Sequence, residues 1–349
     1  NRIEFLYSER ALHVGSVAEL AVIDVRSKHH CGRKSDDGTL TPAAYGSASP
    51  TSPPQNRSFT MARCPQLSLM SHPYNELVPI TGGIKEMRVA ARVPGSALIW
   101  AVDASAYAKS LPVVDQRPGG LTLIAILPPV DDIIADPGIV HAVQRCRPQG
   151  LLPHHLDPVA RDLAQVLRRP PLELALEVTD YLSWRGLVVD RETIRLIRRI
   201  VELSADLRTI TALSRGMYMS RRALGRKLQN RGLPVPSHWL QLARMLRLTC
   251  RLQNTDASLF TVAYESGYPD GFSVSNQMHR LIGYRPSQVR EYLGWEWILE
   301  CWLRKEAESG GLAPGSAHAI SRGAKSTSGT PHPLLRPRSG RPRRTRSGV

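Results

Sequence analysis

Thr209-Ile-Thr-Ala-Leu-Ser214 with Ser220-Arg-Arg-Ala-Leu-Gly-Arg-Lys-Leu-Gln229, and further on Leu259-Phe-Thr-Val-Ala-Tyr-Glu-Ser266 with Asp270–Ile282, repeat one design. Each pair reads as a short helix, a tight turn and a second helix whose outward residues are polar or basic. In the first unit the turn runs through Gly216–Met219, and Ser220 is a natural N-cap. Leu224 and Leu228 stand at i, i+4 and face inward. In the second, Gly267 suits a left-handed turn position and Asp270 the N-cap, while Val274, Met278 and Leu281 form the buried stripe. Between them Ser237–Gln253, with Trp239, Leu240, Leu242, Ala243 and Leu246, reads as an apolar helix that holds the units at a fixed separation.

The outward faces carry the chemistry. At about 100° per residue, Arg222, Arg226 and Gln229 lie opposite Leu224 and Leu228. Arginine pairs bidentately with guanine in the major groove and glutamine with adenine, so these three are candidate base readers. Arg221 and Lys227 flank them and suit phosphates. On the second helix Phe272, Asn276, His279 and Arg280 point away from the stripe. Asn276 suits adenine and Phe272 a thymine methyl, with Arg280 beside them and Arg285 as a further phosphate contact. Two rigid heads on one connector suit successive major-groove faces about one helical turn apart.

These residues resemble the AraC/XylS family of transcription regulators. The resemblance lies in Ser220, Leu224 and Leu228, in Arg244 of the connecting helix, and above all in Ser258-Leu-Phe-Thr-Val-Ala-Tyr-Glu-Ser-Gly-Tyr268, Asp270, Gly283, Pro286-Ser287 and Arg290. It spans about a hundred residues, under a third of the chain. It implies a double helix-turn-helix domain of about seven helices that binds double-stranded DNA, in a cytoplasmic regulator of bacterial type. RNA polymerase and a second copy of the chain are its further candidate partners. Several positions depart from the pattern: Tyr218 stands where the first turn usually has Gly, and Gly232 arrives one residue early. Val274 and Met278 replace Phe residues, and Gly271 and Phe272 stand where polar residues are common. Nothing before residue 150 resembles the double-stranded β-helix sensor often attached in this family.

Charge points the same way. The chain has 46 Lys and Arg against 30 Asp and Glu, a formal net charge of +16. Residues 206–294 hold 13 basic and 5 acidic residues, and 309–349 hold 8 basic and none acidic. The remainder is neutral, so the excess sits in two segments suited to a polyanion. A 42% apolar share leaves enough for a real core. The 5 cysteines, Cys31, Cys64, Cys146, Cys250 and Cys301, are scattered and form no CxxC pair, which suggests neither a disulfide framework nor a zinc site and fits a reducing cytosol. No apolar run approaches a membrane span, and Leu121–Leu127 ends at Pro128-Pro129. His29-His30 and His154-His155 are isolated pairs without further ligands, no catalytic set stands out and no cofactor is implied. Two rivals remain: a non-specific nucleic-acid coat driven by the basic tail, and an enzyme or signal-receiving α/β part with a regulatory DNA domain.

The fold expected is therefore mainly α, with a small α/β N-terminal unit, helices, the double helix-turn-helix domain, and a disordered linker and tail. Residues 1–83 read as leader and linker, with Leu20–Val25 as a short strand. Their Ser, Pro and Gly content fits disorder or a mistranslated leader with Met61 or Met70 as the start, and Asn1 in place of Met fits a fragment or translated open frame. Residues 84–155 read as the α/β unit, possessing the strand-length apolar runs Ala97–Val102 and Leu121–Leu127, a helix Ile133–Arg145 and a strand from Gly150. A receiver-like phosphate acceptor at Asp103 is the less favoured reading of its acids, caps or surface carboxylates the more favoured. Residues 156–205 read as a helical connector (Asp157–Arg168, Leu172–Trp184, Asp190–Ser204), with Arg195, Arg198 and Arg199 on a solvated face. Residues 306–349 read as a disordered basic tail, in which Arg338-Ser-Gly-Arg341-Pro342-Arg343-Arg344 resembles an AT-hook less than it resembles a plain Arg/Pro tail.

Overall fold

A computed structural model describes residues 66–154, 160–187 and 190–321, all within the structural unit Met61–Val349. The strand from Leu20, His29-His30 and the Arg338–Arg344 motif lie outside the described residues.

The two continuous apolar runs form neighbouring parallel strands, β3 (Ala97–Ala101) and β4 (Thr122–Ile126), in register from Ala97 opposite Thr122 to Ala101 opposite Ile126. They are apolar throughout because both sheet faces are covered. Leu98, Trp100, Leu123 and Ala125 point to the face covered by α1 (Ile84–Ala90), α2 (Tyr107–Asp115) and α4 (Gly138–Arg145), through Met87, Val114, Ile139 and Val143. Ala97, Ile99, Ile124 and Ile126 point to the other, where α5 (Ala160–Arg168) places Leu163, Val166 and Leu167. Strand β5 (Gly150–Leu152) extends the parallel set beside β4, as the sequence suggests.

Two expectations for this unit need correction. It begins before residue 84: β1 (Leu67–Met70) pairs antiparallel with β3 and with β2 (Val78–Pro79), giving the order β2-β1-β3-β4-β5. Ile133–Arg145 is not one helix but α3 (Val130–Ala135) and α4, broken at Asp136-Pro137, since a residue before proline is driven out of the helical region. Within the segment 1–83, read as leader and linker, residues 67–70 and 78–79 are thus strands of this sheet. The Asp103 carboxylate accepts from the Ser105 N–H at 2.8 Å and the Ser105 hydroxyl at 2.7 Å, the local turn expected of a capping acid.

The helical part starts with α6 (Leu174–Trp184) and α7 (Arg191–Leu203), the latter capped by Asp190, whose Oδ1 accepts from the Thr193 N–H at 2.8 Å. Then come α8 (Ile210–Gly216), α9 (Arg221–Gln229), α10 (Pro236–Asn254), α11 (Leu259–Glu265), α12 (Gly271–Ile282) and α13 (Pro286–Glu291). Six helices thus lie in 206–294, and α7, read as connector, packs on α10 as a seventh. Arg247 of α10 donates to Val201 O at 2.9 Å and Ser204 Oγ at 3.2 Å. Apolar α10 is the axis of the domain, burying Trp239, Leu242, Ala243, Met245 and Leu246 completely or nearly so.

Disorder from residue 306 is also corrected, as far as 321. Helix α14 (Glu296–Glu308) runs past that point, and after a turn at Gly310 (φ 78°) α15 (Pro314–Ser321) packs back on it, burying Leu312 and Ile320. Trp302 of α14 meets Trp239 of α10 with ring centroids 4.8 Å apart. Helix α14 also joins the domain to the α/β unit. Glu296 pairs with Arg147, and Glu300 takes both arms of Arg185, with nitrogen–oxygen distances of 2.8 Å. Tyr74 bridges the same two parts, donating to Gly95 O at 3.1 Å and accepting from the Leu293 N–H at 2.8 Å.

Tyr218 occupies the left-handed region with φ 54°, where the departure from Gly leads one to look for strain. Its side chain is 97% exposed, so little packing offsets that cost. Tyr218→Gly is expected to raise stability by about 0.5–1 kcal/mol, the released strain outweighing glycine's extra freedom in the unfolded chain. A thermal or denaturant midpoint that drops instead rules this out.

Candidate nucleic-acid interface

Both units close their turns in the same way. In the first, the Tyr218 N–H donates to Arg215 O and the Met219 N–H to Ser214 O, each at 2.9 Å. In the second, the Gly267 N–H donates to Tyr264 O and the Tyr268 N–H to Ala263 O, each at 2.9 Å. This paired pattern satisfies the last carbonyls of α8 and α11 and needs one left-handed residue, Tyr218 or Gly267 (φ 73°). The second helix of each unit is then started by a side chain. Ser220 Oγ accepts from the Ala223 N–H at 3.1 Å, and Asp270 Oδ1 from the Ser273 N–H at 2.6 Å. That bond to the backbone holds the Asp270 carboxyl below its ordinary value.

With the starts fixed, the stripes orient the faces. Leu224, Leu228, Val274 and Met278 are completely buried. The sequence-derived base readers Arg222, Arg226 and Gln229 on α9, and Phe272, Asn276 and Arg280 on α12, are all exposed. Phe272 stands out at 74% exposure, high for so large an apolar side chain. Arg221 is exposed and lines an open cleft with Ile210, Ser220, Arg222, Pro236 and Ser237, where α9 and α10 both begin. Arg285 is exposed, 3.4 Å from Ser275 Oγ. Lys227 differs from the others: its ammonium is engaged by Glu192 of α7, beside the Arg231–Asp190 pair at 2.8 Å, so a phosphate there competes with a carboxylate.

Sequence reasoning missed the exposed aromatics Phe260 (65%) and Tyr264 (74%) on α11. Their i, i+4 spacing opposite Val262 and Ala263 was the available signal. Among the described residues, no group of three or more His, Cys, Asp or Glu has the geometry to hold a metal ion.

Residues 213–292 match the family model described as a helix-turn-helix domain. They are a helix-turn-helix domain of the AraC type. The match runs from Leu213 in α8 to Tyr292 after α13, taking in both turns and both second helices, and covers under a quarter of the chain. Among solved structures, that of a xylose-binding transcription activator, xylR, is similar at 12% identity and a TM-score of 0.28, over 63% of this chain and 62% of that one. The chain therefore spans less than two thirds of that relative's length. No curated protein matches the sequence. Among the described residues, no helix is long and apolar enough to cross a membrane.

Proposed function

We propose that the protein binds specific DNA sequences by inserting α9 and α12 into successive major-groove faces. The observation that supports this most is the pairing of two exposed polar faces with two fully buried apolar stripes on helices started by the same kind of cap. Arg222, Arg226 and Gln229 read bases from α9, and Phe272, Asn276 and Arg280 from α12. Arg221 and Arg285 hold phosphates, with Lys227 joining them once released from Glu192. The α/β unit receives the signal or joins two copies, RNA polymerase is the downstream partner, and the cytoplasm is the site of action.

Selection of bound sequences from random duplex DNA by the full chain tests the reading. One enriched motif with two half-sites is expected. A pool without enrichment supports the non-specific coat instead. Arg226→Ala is expected to cost about 1–3 kcal/mol and to relax preference at one base pair. Equal affinities of that variant and the original chain for selected and scrambled duplexes would remove Arg226 from the reading set.

A further inference from the structure

We infer that Arg208 and Arg244 are positioning residues that fix the second recognition helix relative to the first by gripping the turn Ser266–Tyr268. This rests on the two-helix reading above. Arg244 belongs to α10. Its guanidinium lies 4.5 Å from the centroid of the Tyr268 ring and donates to Ser266 O at 3.1 Å. The cation therefore holds the turn through a ring face and a carbonyl at once. Arg208 comes from the other side. It immediately precedes Thr209, the N-cap of α8, so its backbone belongs to the first unit. Its guanidinium sits on Gly267: a Cβ added there would fall 2.0 Å from Cζ and 2.2 Å from Nε. Gly267 thus serves twice, allowing φ 73° and leaving room for an arginine from the other unit.

The turn leads straight into α12, which starts at Gly271. From there to Arg280 the helix rises about 13 Å, so a tilt of about 10° at the turn moves that end by about 2 Å. Base contacts tolerate about 0.5 Å. Arg244 is bonded to the turn from the connecting helix and Arg208 packs on it from the first unit, and together they set the angle between the heads. Gln229 of α9 and Asn276 of α12 are exposed ends from which that angle can be read.

The test uses the full chain with nitroxide-bearing unnatural amino acids at Gln229 and Asn276 and reads their distance distribution by pulsed electron resonance. A single narrow distance is expected for the parent and for Arg244→Lys. Broadening is expected for Arg208→Ala, and more for Arg208→Ala with Arg244→Met. Arg208 is exposed, so its variant keeps the test decisive even if Arg244→Met fails to fold. In unlabelled chains, the double variant should bind the duplex selected by the parent about tenfold more weakly, and a duplex carrying only the α9 half-site within about twofold of the parent, because only joint engagement is lost. Parent-like distances in both variants overturn the inference. Absence of any selected duplex overturns the two-helix reading while the distances still decide this one.

Discussion

Replacing Glu300 by Ala should cost about 3–5 kcal/mol of stability, because it leaves a buried cation without its partner. The Glu300 side chain is 2% exposed and that of Arg185 10%. The carboxylate accepts from Arg185 Nε and one terminal nitrogen at 2.8 Å each, and from the Tyr181 hydroxyl at 2.9 Å. Such a two-armed pair is among the stronger charge-assisted contacts. Burial first, and the Glu300 charge next, hold the Tyr181 phenol well above its ordinary value, so it remains a donor. That phenol also accepts from the Gly120 N–H at 2.9 Å, and Arg304 donates to Gly119 O at 3.2 Å. One carboxylate therefore joins α6, α14 and the loop entering β4. The loss should appear as a lower denaturant midpoint at unchanged slope. Glu300→Gln, which keeps an acceptor for Tyr181, should lose less. Glu300→Leu with Arg185→Met should recover most of the loss, since a desolvated pair can be matched by apolar packing. A cost below about 1 kcal/mol for Glu300→Ala would mean that the pair behaves like an exposed one.

The contrast between this network and the helix-turn-helix units explains what could be read from sequence. The units announce themselves locally. Ser220, Ser258 and Asp270 cap their own helices three residues on, and Leu224 with Leu228 marks the inner face within one turn of helix. Strands β3 and β4 were equally plain, since doubly covered parallel strands are apolar at every position. Strand β1 was not. Its four residues lie just after a Ser- and Pro-rich stretch and become a strand because β3 offers a partner about thirty residues away. Glu296 and Glu300 on α14 look like solvent-facing acids. They are buried because Arg147 and Arg185, more than a hundred residues earlier, meet them there, a pairing no local pattern records. The candidate site shows the same division. The outward direction of Arg222, Arg226 and Asn276 followed from periodicity. The engagement of Lys227 by Glu192 and the seat of Arg208 on Gly267 are long-range and did not.

Gly95→Ala should be the second large loss, about 2–5 kcal/mol, and its effect should surface in the DNA-binding half of the molecule. Gly95 has φ 70°, where an alanine costs about 1–2 kcal/mol. Its added Cβ would lie 2.4 Å from the Tyr74 hydroxyl oxygen, 2.9 Å from Leu293 O and 3.0 Å from Leu293 N. Two of those three atoms are backbone and cannot swing aside, so overpacking adds about 1–3 kcal/mol. Tyr74→Phe is the milder control. It removes the hydroxyl that joins Gly95 O to the Leu293 N–H and should cost about 1–2 kcal/mol, the usual loss from a buried hydrogen bond left half made. Leu293 stands between α13 and α14, so displacing it pulls on the end of the helix-turn-helix domain from a glycine in the α/β unit. Amide exchange around Tyr292–Trp295 should therefore accelerate in Gly95→Ala beyond the change in global stability, and less so in Tyr74→Phe. If exchange there rises only as much as in α10, the substitution weakens the whole fold evenly, and Tyr74 is not a joint through which the α/β unit acts on the DNA-binding domain.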